Sequence, residues 1–369
     1  MSGPLEGLIV ADFSRVLAGP YATMLLGDLG ATVIKVERPG TGDDTRSWAP
    51  PADDSGDATY FLSVNRNKYS VALDLDDPVD GERARRLAQR ADIFIENFPT
   101  GALDKRSLGY RDVSTINPDV IYCSISGFGP ETDLPGYDLL VQAMGGLMDI
   151  TGDAEPTKVG VAIVDVITGL HAMNGILAAL HHRDRTGEGQ HLEVTLLGSL
   201  LSALVNQSGS AAITGQDPQR MGNAHPSISP YEPYPTADRP LIIAVGNDQQ
   251  FARLCGVLGH PDWAVDPRFA TNSARAANRD TLRAMLTEVL CTRSADAWQA
   301  SLQAERIPCG PINTVTGALE LAERMNLTPV IEVDGVRQVA NPVRYSRTPV
   351  TYRRRPPRLG EHTIDEILD

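Results

Sequence analysis

Apolar runs of strand length alternate with helical segments over the first half of the chain. Residues 7–13 (GLIVADF) are strand-like, 21–30 (YATMLLGDLG) have helical spacing, and 31–37 (ATVIKVE) form a second strand-like run, which together predict a βαβ unit. Further strand-like runs lie at 70–75, 92–98, 120–126 and 191–196. Because helical crossovers join parallel strands, the alternation predicts an α/β fold with a Rossmann-like, mostly parallel sheet. The first turn, SRVLAGPY, lacks the GxGxxG signature of dinucleotide sites.

The length of 369 residues suggests two domains. We expect a large Rossmann-like domain over 1–215, a linker over 216–239 that is rich in Pro and Gly, a small α/β domain over 240–328, and a C-terminal segment over 329–369. Residues 199–215 predict one buried helix that closes the large domain. The dipeptide Asp334-Gly335 predicts a hairpin turn within 330–343.

Charge and cysteine content narrow the class of protein. A net charge of −14 argues against nucleic acid as a partner. The four cysteines show no CxxC or CxxH spacing, which is typical of reduced thiols and predicts a cytoplasmic protein without a disulfide framework. We expect no signal peptide, no membrane span and no metal site, since the histidines have no ligand spacing and the longest apolar run carries several polar residues.

Asp165 stands alone among Val161, Ala162, Ile163, Val164, Val166 and Ile167. Desolvation of such a carboxylate costs several kcal/mol, on the order of the penalty for any buried unpaired charge. The acid precedes a helical segment, so one interpretation is a helix N-cap without chemistry. The other interpretation is a catalytic nucleophile in a dry site, with the helix N-terminus stabilising its charge.

Ligand-binding candidates come from position and flexibility. Arg38 directly follows a predicted strand, at the sheet edge where open α/β folds bind ligands, and it is a candidate for phosphate capture. The alternative is a solvated arginine. Gly145 and Gly146 would permit close approach of the backbone to a substrate.

Ordered sequence blocks resemble the family III CoA-transferases over nearly the whole chain. The blocks are GLIVADFSRVLAGPYATMLLGDLGATVIKVERPGTGDDTR, NRNKYSVALDL, IENFPTGALDK, GFGP followed by GYD, RTGEGQHLEV, GNAHPSISPY, IPCGPINTV and LGEHT. This CaiB/BaiF-type family includes formyl-CoA transferase, the carnitine CoA-transferase and the α-methylacyl-CoA racemases. Eight blocks in order are far more specific than any one motif.

The resemblance implies a homodimer of two interlocked rings, in which the C-terminal segment returns to the large domain. Coenzyme A enters as a substrate, and no permanently bound cofactor is expected. The family's nucleophilic aspartate falls on Asp165. Its positions that contact CoA or substrate fall on Val16, Leu17, Ala18, Arg38, Leu73, Asn97, Phe98, Lys105, Tyr137 and Asp138.

Three functions follow from the resemblance. The first is an acyl-CoA:carboxylate CoA-transferase that acts through an Asp165 anhydride and an aspartyl-CoA thioester. The second is a 2-methylacyl-CoA racemase, but racemases carry a histidine where this chain has Tyr137, and a phenol is a poor general base at neutral pH. The third is a CoA-binding protein without catalytic activity.

Overall fold

The computed structural model describes residues 3–368. The described chain divides into two compact units. The first unit comprises 3–147, 158–217 and 326–368, and the second comprises 148–157 and 218–325. The first unit therefore covers most of the range expected for the large domain, together with the described part of the expected C-terminal segment. Residues 148–157 and most of the expected linker fall in the second unit.

A six-stranded sheet forms the centre of the first unit. All its neighbouring strands are parallel, in the order β3-β2-β1-β4-β5-β6. The strands are β1 (Ile9–Asp12), β2 (Thr32–Glu37), β3 (Lys68–Ala72), β4 (Ile93–Glu96), β5 (Ile121–Ser126) and β6 (Gln190–Thr195). This order is that of a Rossmann fold, and the direction of winding reverses between β1 and β4. The predicted α/β fold class is confirmed.

Helices cover both faces of the sheet. The helices of the first unit are α1 (Ala18–Asp28), α2 (Thr59–Ser63), α3 (Pro78–Arg90), α4 (Tyr110–Ile116), α5 (Asp138–Met144), α7 (Ile163–Thr186), α8 (Leu196–Ala203) and α9 (Asn206–Thr214). Helix α6 (Leu147–Ile150) begins at the last residue of the first segment of this unit, and its other residues belong to the second unit. One apolar core joins α1, α7 and α8 to the sheet, and a second joins α3 and α4 to its other face. The result is a three-layer arrangement of helix, sheet and helix.

The second unit has its own core around a three-stranded antiparallel sheet. Its strands are β7 (Tyr231–Tyr234), β8 (Leu241–Ala244) and β9 (Cys309–Pro311), and its helices are α10 (Asp248–Leu258), α11 (Asn272–Ala277), α12 (Arg279–Leu290), α13 (Ala295–Ala304) and α14 (Val315–Arg324). Strand β7 lies within the segment expected to be a linker. That segment is therefore partly ordered as a strand, since β7 pairs in register with β8.

The C-terminal segment contains the predicted hairpin. Strands β10 (Val330–Val333) and β11 (Val336–Val339) pair antiparallel around Asp334 and Gly335, both at positive φ. The last helix, α15 (Ile364–Leu368), buries Ile364 and Leu368 in the core on the α3 side of the sheet. The antiparallel pairing confirms the hairpin prediction. The turn forms at this dipeptide because Asp and Gly both accept the left-handed backbone that a tight turn needs.

The prediction of one buried helix over 199–215 was wrong. Helices α8 and α9 meet at an angle of 89°, with Val205 at a φ of 43° between them. Helix α9 buries none of its residues, and Val205 and Ile213 are 70% and 87% exposed. Apolar composition alone does not reveal such a break, because the residues at the junction of the two helices include neither Gly nor Pro.

Helix α7 is, among residues 3–368, the one unbroken helix long and apolar enough to cross a membrane by length and composition; the bent α8–α9 pair meets the same criterion only if it is counted as one span. The buried residues of α7 include Val164, Ala172, Ile176 and Ala179, which belong to the core on the α1 side of the sheet. Packing within this core is a sufficient reason for the apolar sequence of the helix.

Candidate active site

A cleft of about 610 Å³ opens at the point where the strand order reverses. Its walls come from the segments that follow β1 and β4, at the carboxyl ends of those strands, where α/β folds place their ligands. All residues lining the cleft belong to the first unit. They include the predicted site residues Val16, Leu17, Ala18, Asn97, Phe98, Tyr137, Asp138 and Asp165.

Asp165 lies in the first turn of α7, as its third residue. The N-cap of this helix is Ala162, whose side chain forms no cap hydrogen bond. The helix therefore begins before Asp165, and the interpretation of Asp165 as the N-cap was wrong. The carboxylate lines the cleft from a position where the helix dipole favours negative charge.

Asp138, at the start of α5, replaces the missing cap of α7. One of its carboxylate oxygens, Oδ1, accepts the N–H of Val164 at 2.8 Å and that of Asp165 at 3.3 Å. The other, Oδ2, accepts the Gln142 side-chain amide at 2.6 Å. The Gln142 amide oxygen in turn accepts the N–H of Val159 at 2.9 Å. The start of α7 and the segment before it are thus held by carboxylate and amide groups of a neighbouring helix.

Burial, and second the negative charge of Asp138, raise the pKa of Asp165 to about 7. A carboxylate with this pKa is partly ionised at neutral pH and is more basic than an ordinary aspartate, which favours nucleophilic attack. Tyr60 lines the same cleft, and burial together with the charge of Asp165 raises its pKa to about 12. Its hydroxyl therefore remains a hydrogen-bond donor at neutral pH.

The turn between β1 and α1 forms the wall beside Asp165. Gly169, one helical turn after Asp165, packs against the backbone of Ala18, and a Cβ at Gly169 would lie 2.6 Å from the Ala18 carbonyl oxygen. Only glycine permits this approach of α7 to the start of α1. Within residues 3–368, the N–H groups of Leu17 and Ala18 have no hydrogen-bond acceptor. Free N–H groups at a helix start are available to a developing oxyanion.

A smaller cleft of about 120 Å³ shares Arg15 and Phe98 with the larger one. Arg38 and Leu73, two predicted CoA contacts, line it together with Arg106. Arg38 pairs with Asp44 at 2.8 Å and remains more than half exposed. Three guanidinium groups around one pocket form a suitable site for phosphate groups.

Three predicted residues line neither of these two clefts: Lys105, Gly145 and Gly146. Arg106, the neighbour of Lys105, lines the smaller cleft. Gly145 lies against Leu200, since a Cβ there would come within 2.5 Å of the Leu200 side chain. Its role in this structure is close packing of α5 on α8.

Sequence reasoning missed Arg15, Trp48, Tyr60 and Arg106, which all line the clefts. Trp48 and Tyr60 meet edge to face, with ring centroids 5.2 Å apart. Arg15 is adjacent to the predicted Val16, and Arg106 to the predicted Lys105, so position along the chain was a usable signal for these two. The aromatic pair lies in and after a loop where no periodicity marks a wall of the site. Residues 3–368 contain no group of three or more potential metal ligands.

The strand order and the cleft define a Rossmann-like α/β protein with a carboxylate at its switch point. Residues 5–363 match CoA-transferase family III. The succinate–glutarate CoA-transferase of Agrobacterium fabrum is 44% identical, over 99% of this chain and 95% of that protein. The succinyl-CoA:glutarate CoA-transferase of Mus musculus is 43% identical, over 99% of this chain and 86% of that protein.

The fold comparison agrees with the sequence comparison. The crystal structure of a CAIB/BAIF family protein from Brucella suis is 44% identical and superposes with a TM-score of 0.89, with all of both chains covered. The chain belongs to CoA-transferase family III, and it is a CoA-transferase. Its substrates are thioesters of coenzyme A.

Proposed function

We propose that this enzyme moves coenzyme A from an acyl-CoA donor to a carboxylic acid acceptor through covalent intermediates on Asp165. The observation that carries the proposal is a carboxylate of raised pKa in the first turn of a helix, lining a cleft beside unpaired backbone N–H groups. The named substrates of the two relatives make succinate and glutarate the first acids to test.

The first half of the reaction releases the donor acid. An Asp165 carboxylate oxygen attacks the thioester carbonyl, the C–S bond breaks, and a mixed anhydride and CoA thiolate result. The thiolate then attacks the Asp165 carbonyl carbon, which releases the donor carboxylate and leaves an aspartyl-CoA thioester. The N–H groups of Leu17 and Ala18 stabilise the oxyanions of these steps in our proposal, which is supported by the position of both residues in the wall of the cleft.

The second half returns the enzyme to its starting state. The acceptor carboxylate attacks the aspartyl-CoA carbonyl, and CoA thiolate leaves as a new anhydride forms. The thiolate attacks the acceptor's acyl carbon, which gives the new acyl-CoA and a free Asp165 carboxylate. Hydrolysis would destroy each intermediate, so a site shielded from water favours transfer.

Binding of the CoA nucleotide is assigned to the smaller cleft. Arg15, Arg38 and Arg106 offer bidentate donors to phosphate oxygens, and Phe98 and Leu73 offer apolar contacts to the base. This cleft adjoins the larger one through Arg15 and Phe98, so the pantetheine arm has a continuous path to Asp165.

The test is mass spectrometry of the protein after incubation with succinyl-CoA and with glutaryl-CoA, quenched with hydroxylamine or borohydride. An adduct on Asp165 that Asp165→Asn abolishes is the expected result. Asp133→Asn, which changes an exposed acid of the same cleft, is the matched control and should retain the adduct. CoA binding without any adduct would favour the non-catalytic alternative. Exchange of the α-proton with solvent, without CoA transfer, would favour the racemase.

We also propose that the enzyme acts as a cytoplasmic homodimer, interlocked as the family resemblance implies. Apolar side chains exposed on α7 to α9, among them Leu170, Leu201 and Ile213, support a partner surface. The four cysteines, all free, support a reducing compartment. Light scattering should give twice the chain mass of 39.7 kDa, and Ile213→Glu should lower it. A monomeric wild-type protein would contradict the dimer.

A further inference from the structure

Val16 has a backbone conformation that valine rarely adopts. Its φ is 70°, in the left-handed region. Branching at Cβ makes this conformation costly, by about 1–3 kcal/mol for a strained residue of this kind. Val16 also lines the cleft that contains Asp165, directly before Leu17 and Ala18. Such strain persists only where surrounding contacts hold the backbone.

The contact that holds Val16 is made by Asp43. Both carboxylate oxygens of Asp43 accept the Val16 N–H, at 3.3 and 3.2 Å. The same carboxylate forms an ion pair of 2.8 Å with the Lys35 ammonium group, and both side chains are fully buried. Lys35 also donates to the Ser14 carbonyl at 2.9 Å. The ion pair therefore contacts the backbone on both sides of Arg15, at Ser14 through Lys35 and at Val16 through Asp43.

Asp43 carries its charge throughout the neutral range. Despite its burial, the charge of Lys35 and hydrogen bonds from Lys35 and Thr45 lower the pKa of Asp43 to about 2. The negative charge of Asp43, followed by that of Asp12, raises the pKa of Lys35 in spite of burial. Loss of Asp43 would leave the buried Lys35 ammonium without its directly paired carboxylate, which is destabilising.

A second restraint acts on the preceding residue. The Asn97 side-chain oxygen accepts the Arg15 N–H at 2.9 Å, and its amide donates to the Arg15 carbonyl at 2.8 Å. With Arg15 fixed by Asn97 and Val16 by Asp43, the N–H groups of Leu17 and Ala18 have one orientation relative to the cleft. Donors that stabilise an oxyanion must be fixed in advance in this way.

We propose that Asp43, paired with Lys35, is a positioning residue of the transfer reaction, which holds Val16 in its left-handed conformation and so aims the N–H groups of Leu17 and Ala18 at the reacting carbonyl. The inference rests on the proposed function for the reaction it serves. Asp43 borders the smaller cleft, but its side chain is fully buried against Lys35, so its effect on the reaction passes through the backbone of the turn.

Asp43→Asn tests the ion pair with little change of shape. An amide in place of the carboxylate turns an NH₂ group towards either Thr45 or the donors Lys35 and Val16, so one donor always faces another. We expect kcat to fall about 10- to 100-fold, as for a misplaced catalytic donor. The KM for acyl-CoA should change less than about threefold, because such donors act mainly in the transition state.

Asp28→Asn is the matched control. Asp28 forms an equally buried ion pair with Arg66, at 2.6 Å, and lies at the far end of α1. Its removal should lower the melting temperature, as in Asp43→Asn, but leave kcat within about twofold of wild type. A similar loss of kcat in both variants would overturn the positioning role, because general destabilisation would then explain it.

A double-mutant cycle with Val16→Gly tests the route of action. Glycine accepts a positive φ without strain, so the loss of kcat caused by Asp43→Asn should be at least about threefold smaller in a Val16→Gly background. Independent effects of the two substitutions on kcat would overturn the proposal that Asp43 acts through Val16.

Hydrogen–deuterium exchange gives a measurement that does not depend on activity. Peptides covering residues 14–18 should exchange about tenfold faster in Asp43→Asn than in wild type or Asp28→Asn, because the Val16 N–H loses the charged acceptor that both carboxylate oxygens provide in wild type. Unchanged exchange would overturn the proposal even if kcat fell. If wild type transferred no CoA, the proposed function would fail, and faster exchange in Asp43→Asn would still support the hold on Val16.

Discussion

The carboxylate of Asp138 accepts the backbone N–H of Val164 over 2.8 Å and so caps a helix to which it does not belong. The residue that follows Val164 in this helix is Asp165. Its own N–H also donates to the Asp138 carboxylate, at 3.3 Å. One acid thereby fixes the position of another and, second to burial, raises its pKa through like charge. The position of Asp165 and part of its pKa shift thus depend on the same neighbour.

Removal of the Asp138 charge should shift the pH dependence of the reaction. Asp138→Asn keeps an oxygen for the Val164 N–H but loses the negative charge that helps to raise the pKa of Asp165. The acid limb of the kcat profile, with a midpoint near pH 7 in wild type, should move to lower pH. Normalised profiles of kcat from pH 5 to 9 measure this. Asp133→Asn is the control, and an equal shift in both variants would contradict the assignment.

Asp165→Asn should stabilise the protein at alkaline pH. The pKa of Asp165 is raised from 3.8 to about 7 in the folded state, so the folded protein holds a proton that the unfolded chain releases. Between pH 3.8 and about pH 7 the contribution of Asp165 to the free energy of unfolding falls as pH rises. Above about pH 7 the protein bears the full cost of burying the charged carboxylate. The melting temperature of the Asn variant minus that of wild type should rise by several degrees from pH 4.5 to pH 8. A difference that does not vary with pH would show that Asp165 titrates normally.

Gly169 and Gly175 lie in the same helix and should respond in opposite ways to alanine. In Gly169→Ala the new Cβ would meet the Ala18 carbonyl oxygen at 2.6 Å, so we expect a loss of about 1–3 kcal/mol in unfolding free energy. The displacement of α7 from α1 should also lower kcat about tenfold or more. Chemical denaturation and steady-state kinetics measure both effects.

Gly175→Ala provides the control for this substitution. Its Cβ would make an ordinary contact of 3.5 Å with Leu192. Alanine is the better helix former, and a gain of about 0.5–1 kcal/mol is expected with no change in kcat. An active and stable Gly169→Ala enzyme would mean that α7 and α1 can separate at no cost.

Arg106 and Lys105 should differ in their effect on CoA binding. Arg106 lines the smaller cleft, whereas Lys105 does not. Arg106→Gln should weaken CoA binding about tenfold, the value of a charge-assisted hydrogen bond, and Lys105→Gln should change it less than twofold. Titration calorimetry with CoA measures both. A larger loss for Lys105→Gln would restore the assignment drawn from the family resemblance.

Local pattern predicted the strands of the large sheet because each is a short apolar run between turn residues. Residues 7–13 and 31–37 contain β1 and β2, and the run at 191–196 overlaps β6. The pattern failed at residues 199–215, where the chain bends sharply between two helices that composition does not separate. Helix α7 also begins earlier than the sequence suggests, because Asp138 supplies its cap from a distance of 26 positions along the chain.

The sequence by itself determined the alternation of strands and helices, the family, and the identity of Asp165 as the acid to examine, since these depend on local periodicity and on ordered motifs. Only the tertiary structure decided that Asp138 caps α7, that Asp43 and Lys35 hold Val16, and that Arg106 lines a cleft. Each of these contacts joins groups distant in the chain or depends on which way a side chain points. Their strength comes from burial, which lowers the local dielectric and fixes the partners, and burial exists only once the chain has folded.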